Sequence, residues 1–412
     1  MMIPTDRPAL RAFLDGARER ETALLAALVR MPSDNPPGDC APHAEHTAAL
    51  LAELGFAVER HVVPAELVRA HGMRSVTNLV VRRRFGPGGP VVALNAHGDV
   101  VPPGEGWTAD PYGAEIRDGW MYGRGVAVSK SDIATYAFAL LALEHEGAAQ
   151  HGAVELHITY DEETGGEIGP RWLLEQGISR PDLAIGAGFS YAVVEAHNGC
   201  LHLAVEVTGR SAHAARPWTG IDALEGATRI LAALYAWRPS LAARASAIPG
   251  IGAPQLTVGL IAGGINTNVV PDRVTFRLDR RIVPEERPEA AEAELRALIA
   301  EAAQGVPGVA VAVRRILLAT PLTPAPGGAD LSALLCAHAS RVMGEDIRPG
   351  GVPLYTDARH YAAAGVPIVL YGAGPRSIED ANAHRADERL PLADLHRATA
   401  VVALTLADLL AG

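Results

Sequence analysis

The chain has 412 residues, of which 49% are apolar, with 42 glycines and 30 prolines. That composition favours a large core of small aliphatic side chains with many turns and excludes a disordered polymer. A net charge of −11 argues against a nucleic-acid or acidic-membrane surface, and the three widely spaced cysteines, Cys40, Cys200 and Cys336, suggest a reducing compartment and argue against a cysteine-based zinc module.

The first twenty residues carry charges throughout, unlike a signal peptide, and no run reaches about 18 uncharged apolar residues. A soluble, cytoplasmic, multi-domain enzyme is expected, with two or three domains at roughly 150 residues each. The pattern Leu24, Leu25, Ala27, Leu28 predicts an amphipathic helix that stops before Pro32, and a second helix is expected over 44–54, ending at Gly55. Val91 to Leu94 reads as a buried parallel strand. A helix is expected over 129–145, with Ser129 as its cap and Asp132 three residues on. Val154, Leu156, Ile158 and Tyr160 alternate as in a strand, and Leu183 to Ile185 forms a further apolar run. Strands alternating with helices imply right-handed crossovers and a mainly parallel sheet.

Near residue 200 the pattern changes. Leu201, Leu203, Val205 and Val207 alternate, as do Val274, Phe276 and Leu278, and Val309, Val311 and Val313. Two helical patterns, about 221–237 and 285–303, lie among them. Half-polar strands with two long helices predict an antiparallel α+β unit. Beyond residue 324 the first style returns, with a helix over 331–342 and a strand over 368–371. The expected organisation is an α/β catalytic domain with a mainly parallel sheet, residues 1–199 and 317–412. An α+β lid or dimerisation domain, residues 200–316, is inserted within it.

Ligands gather outside the carboxyl ends of parallel strands. Three such ends carry coordinating residues: His97 and Asp99, then Asp161, Glu162 and Glu163, then His384 after a loop. His97 can offer one ring nitrogen to a metal while Asp99 holds the other ring N–H. Of two consecutive glutamates, one can bind metal while its neighbour takes a proton from water. A His, Glu, His set with an open position suits catalytic zinc.

These segments resemble the M20 metallopeptidase and deacylase family, which includes acetylornithine deacetylase, succinyl-diaminopimelate desuccinylase, aminoacylase and glutamate carboxypeptidase. The resemblance runs over essentially the whole chain. It is carried by Pro32 to Gly38, His97-Gly98-Asp99, Asp118 to Gly125, Asp161-Glu162-Glu163, Gly209 to His213, Gly263 to Asp272, Thr356 to Arg359 and Ala383 to Glu388. It implies His97, Glu163 and His384 as metal ligands, Glu162 as general base and proton donor, and Asp99 as the orienter of His97. In the lid it implies His213 at the substrate or oxyanion, Asn268 near the substrate, and Arg281 as receiver of a substrate carboxylate. It also implies a co-catalytic metal pair and a homodimer through the inserted domain.

Two ligands of that pair are missing. Val128 stands where the bridging aspartate belongs, and Gly186-Ala187-Gly188 replaces the segment of the other carboxylate. Three arrangements remain open: one metal among His97, Glu163 and His384; replacement ligands from Asp132, Glu195 or His197; or a relative that binds without hydrolysing. Retention of both Glu162 and Glu163 argues against the last. The expected function is hydrolysis of an amide bond in a small carboxylate-bearing substrate, such as an N-acyl amino acid or dipeptide. About one zinc, manganese or cobalt ion per chain is expected. Hydrolytic deamination of a non-peptide C–N bond is the alternative.

Overall fold

The computed structural model describes residues 5–147 and 149–411. The chain divides into two compact units, residues 1–195, 324–350 and 356–412, and residues 196–323 with 351–355. Segment 351–355, expected in the catalytic domain, groups instead with the inserted unit. There Gly351 N donates to Pro249 O at 2.8 Å and Asn198 N to Val352 O at 3.3 Å.

The first unit is built on an eight-stranded sheet. Its order is Val58–Val62, Thr77–Arg84, Ala153–Thr159, Val91–His97, Leu183–Gly186, Ile368–Leu370, Val193–His197 and Pro349–Val352. The strands from Ala153–Thr159 to Ile368–Leu370 are parallel to one another. Thr77–Arg84 and Val193–His197 join this centre antiparallel. All seven positions of Ala153–Thr159 are buried, so the polar half of its alternation does not meet water. A central parallel strand is covered on both faces, and its polar groups need partners. His157 finds them in Tyr361 Oη at 2.7 Å and Glu155 Oε2 at 3.1 Å.

The helix Lys130–Glu146 is apolar nearly all round and packs between Pro8–Arg30 and Leu392–Leu409. Ser129 does not cap it as expected. Its hydroxyl accepts from His97 N at 3.0 Å and donates to His97 O at 3.3 Å. Asp132 is also diverted, with Oδ1 accepting from Ala373 N at 2.7 Å. Tertiary partners thus replace the local capping pair at the start of this helix, and one of them fixes the strand end that carries His97.

In the second unit a four-stranded antiparallel sheet runs in the order Leu256–Gly263, Arg273–Ile282, Gly199–Thr208, Ala310–Ala319. Leu201, Leu203, Val205, Val274, Phe276 and Leu278 face the helices Ala223–Trp237 and Pro288–Ala303. Asp222 caps the first of these by accepting from Leu224 N and Glu225 N. The edge strand Leu256–Gly263 escapes sequence reading because most of its side chains are exposed, so burial imposes no alternation. No helix among the described residues is long and apolar enough to cross a membrane.

Candidate active site

Parallel pairing itself assembles the centre of the site. His97 is the last residue of its strand and lies in register with Thr159, the last residue of the neighbouring strand. The chain then turns through Asp161 into the short 3-10 turn Glu162–Thr164. His97, Glu162 and Glu163 therefore each place a donor atom within 4.8 Å of the others. His97 Nε2 is 4.0 Å from Glu162 Oε2. His384, from a different loop, stands beside Glu163, its Nε2 3.6 Å from Glu163 Oε1.

Asp99 organises this group from beneath. It is fully buried, and Oδ2 accepts from Asn35 Nδ2 at 2.9 Å and Glu163 N at 3.2 Å. Its Oδ1 accepts from Glu162 N at 3.3 Å. Towards His97 the closer acceptor is the Asp99 carbonyl oxygen, 2.9 Å from Nδ1, with Oδ1 at 3.4 Å. One residue thus holds the imidazole through its backbone and both glutamates through its carboxylate. A proton on Nδ1 leaves Nε2 as the free donor.

Burial opposes charge on His97, but the Asp99 contact and the carboxylates of Glu162, Asp99 and Glu163 outweigh it and hold the imidazole well above its ordinary pKa. Burial raises Glu162 to about 7; Glu163 and Asp99 push the same way and His97 and His384 oppose. His384 is raised chiefly by its Glu163 contact. A carboxylate near neutrality can both accept and return a proton at working pH. The imidazole of His97 and the carboxylates of Glu162 and Glu163, with His384 beside Glu163, offer nitrogen and oxygen donors of the kind that suit zinc, manganese or cobalt, so the residues present fit a divalent cation.

His384 has φ +62°, in the left-handed region, as do Asn382 and Asp387 at +51° and +56°. Such backbone persists in non-glycine residues only when its surroundings dictate it. Here Asp387 accepts from Thr108 N at 2.8 Å and Thr108 Oγ1 at 2.9 Å. Glu388 accepts from Arg124 Nη1 at 2.6 Å and Ala127 N at 3.0 Å.

Several of these residues carry no role that sequence alone assigns. Asn35, Arg124 and Glu388 lie inside family motifs, and membership of a motif was their only signal. Asp357 accepts from Thr159 Oγ1 at 3.3 Å, and burial, with the charges of Glu162 and Asp161, pushes its carboxyl well above the usual range. Asp161 Oδ2 accepts from Ile168 N at 2.7 Å within its own loop.

Val128 and Ala187 are half-buried hydrocarbons. The candidates for replacing them are Asp132, Glu195 and His197. Asp132 is engaged by Ala373, and Glu195 and His197 belong to the strand Val193–His197. Among the described residues, no group of three or more metal-capable side chains includes any of the three.

The other expected site residues belong to the inserted unit. His213 is exposed, its Nδ1 accepting from Ala215 N at 3.1 Å. It pairs in register with Val269, and Ala214 N donates to Asn268 O at 2.9 Å, so His213 and Asn268 sit on adjoining segments. Arg281 Nε donates to Asp279 Oδ1 at 3.0 Å.

Residues 93–408 match the model of peptidase family M20/M25/M40. The chain is 32% identical over 399 residues to a succinyl-diaminopimelate desuccinylase of Sphingopyxis alaskensis, covering 92% of this chain and 95% of that one. It is 29% identical to an acetylornithine deacetylase of Myxococcus xanthus, covering 90% and 93%. An M20 family metallo-carboxypeptidase from Sulfolobus solfataricus shares the fold with a TM-score of 0.77 at 16% identity, covering 94% of this chain and 99% of that one. With a match over most of its length and a histidine–glutamate centre at the strand ends, the chain belongs to peptidase family M20/M25/M40 and is a hydrolase of the amidohydrolase and peptidase type.

Proposed function

We propose that this hydrolase cleaves the amide bond of a small carboxylate-bearing substrate, an N-acyl amino acid or a dipeptide, with one divalent metal per chain held by His97, Glu163 and His384. The observation that carries this reading is the convergence of His97, Glu162 and Glu163 within 4.8 Å, beside His384. When bound, the cation supplies Lewis-acid polarisation of the scissile carbonyl and a more acidic water. Glu162 accepts the proton of the attacking water and delivers it to the leaving nitrogen. Asp99 and Asn35 keep Glu162, Glu163 and His97 in place during the transfer. His213, Asn268 and Arg281 are assigned to the substrate by family resemblance, and a guanidinium fork suits a carboxylate. Hydrocarbon at Val128 and Ala187 supports one metal rather than two. The names of the relatives, a desuccinylase and a deacetylase, support an N-acyl amino acid.

Chelated protein reconstituted with zinc, manganese or cobalt is to be assayed on N-succinyl and N-acetyl amino acids, dipeptides and aryl amines. Release of a free amino acid from an acyl or peptidyl substrate supports the reading. Turnover restricted to aryl amines overturns it.

We also propose a homodimer through the inserted unit. Leu260, Ile261 and Ile265, on and just beyond the edge strand Leu256–Gly263, are 60%, 57% and 80% exposed. An unpaired edge with apolar side chains is a template for a second copy. Light scattering is expected to give twice the chain mass, and Leu260→Lys with Ile261→Lys to give monomer. A wild-type monomer at micromolar concentration overturns this assembly.

A further inference from the structure

On the strand Gly199–Thr208, Leu201, Leu203, Val205 and Val207 enter the core of the inserted unit. Strand periodicity puts Cys200 and His202 together on the opposite face. On the neighbouring strand, Asp279 lies directly across from His202, and Arg281 across from Cys200. His202 Nε2 is 3.0 Å from Asp279 Oδ2, and Cys200 Sγ is 3.6 Å from the same oxygen. One sulfur, one nitrogen and one oxygen therefore all lie within 4.8 Å of one another. Cys200 is buried, and His202 and Asp279 are half-buried. The other Asp279 oxygen, Oδ1, is taken by Arg281 Nε at 3.0 Å.

We propose that Cys200, His202 and Asp279 form a second divalent-metal site, on the inserted unit and of a chemistry different from the His97 centre. Anchoring Arg281 needs only the Asp279 carboxylate. A thiol and an imidazole aimed at its second oxygen add the donors that distinguish zinc-class and cobalt-class ions from magnesium or calcium. Binding takes the proton from the Cys200 thiol, releases it to solvent, and joins the thiolate to the ion with neutral His202 and Asp279 Oδ2. Oδ1 stays with Arg281. Three protein ligands leave the remaining position to water.

The test is a cobalt(II) titration of the full chain after chelation, followed by the thiolate-to-cobalt charge-transfer absorption in the near ultraviolet. The His97 centre has only nitrogen and oxygen donors and contributes no such band. The expected result is a saturable thiolate band that zinc abolishes. It disappears in Cys200→Ser, needs at least about tenfold more cobalt in His202→Gln, and is unchanged in Glu163→Gln and Cys336→Ser. Thermal melts of the metal-free variants establish that they fold; if Cys200→Ser does not, the cobalt requirement of His202→Gln decides the test. Absence of a thiolate band, or a band that survives in Cys200→Ser or is unmoved in His202→Gln, overturns the proposal. These outcomes are independent of activity, so they stand apart from the hydrolase reading.

Discussion

Arg124 and Glu388 meet at 2.6 Å with both side chains 1% exposed, and this pair ties the Gly123-Arg124-Gly125 loop to the loop that presents His384. Arg124 Nη2 reinforces the tie by donating to Arg385 O at 3.2 Å and Pro103 O at 3.1 Å. The left-handed backbone of Asn382, His384 and Asp387 is thus held by a neighbour more than 250 residues away in sequence.

Glu388→Gln leaves the buried guanidinium without its counter-charge. Breaking a buried pair from one side costs about 3–5 kcal/mol. Urea denaturation should show that loss, and metal titration should show affinity reduced by about tenfold or more as His384 loses its support. An unchanged metal affinity in a destabilised variant confines the pair to a stability role.

Glu162→Gln keeps a side chain of the same size that cannot accept the proton. kcat is expected to fall by about 10²- to 10⁴-fold, with metal content unchanged. Glu163→Gln is expected to lower metal content as well as activity. Loss of metal from Glu162→Gln to the same extent as from Glu163→Gln marks Glu162 as a ligand rather than the base.

At the His97 centre, wild-type protein is expected to hold about one metal per chain, since Val128 and Ala187 offer no ligand. Val128→Asp combined with Ala187→Glu should raise this towards two. Elemental analysis, performed in a Cys200→Ser background, reads the difference. Two tightly held ions before any substitution at Val128 or Ala187 contradict the single-metal centre.

Asp132 supplies a pH signature of stability. Burial raises its pKa from 3.8 to about 7, against the pull of the Ala373 hydrogen bond and His97. The folded chain therefore binds this proton more tightly than the unfolded chain. The resulting stability is complete below 3.8 and is lost as pH rises through about 7. Asp132→Asn keeps an oxygen for Ala373 N and does not titrate. Relative to wild type it should gain on the order of 2–4 kcal/mol from low to neutral pH. Parallel stability curves for the two proteins would falsify the assignment.

Much of the architecture was legible because burial imposes periodicity. The apolar run at Val91 to Leu94, the alternation at Leu201 to Val207 and the helical pattern of 129–145 all mark elements of the structure. The edge strand Leu256–Gly263 left no such trace because water faces most of it. Local rules also failed where a tertiary partner offered a better bond: Ser129 and Asp132, a plausible capping pair, instead hold His97 and Ala373.

By itself the sequence determined the family, the fold class and the residue types available for chemistry, since motifs and hydrophobic period are local properties. It also determined that Val128 and Ala187 offer no ligand, because valine and alanine side chains lack donor atoms in any fold. Tertiary structure alone decided which donors meet. His97 stands beside Glu162 and Glu163 because two parallel strands end in register, and His384 stands beside Glu163 on a loop that Arg124 bonds at Arg385. Cys200, His202 and Asp279 converge because antiparallel pairing sets residues some 77 apart face to face. Such meetings depend on strand register and on burial of charge across long loops, which no local pattern encodes.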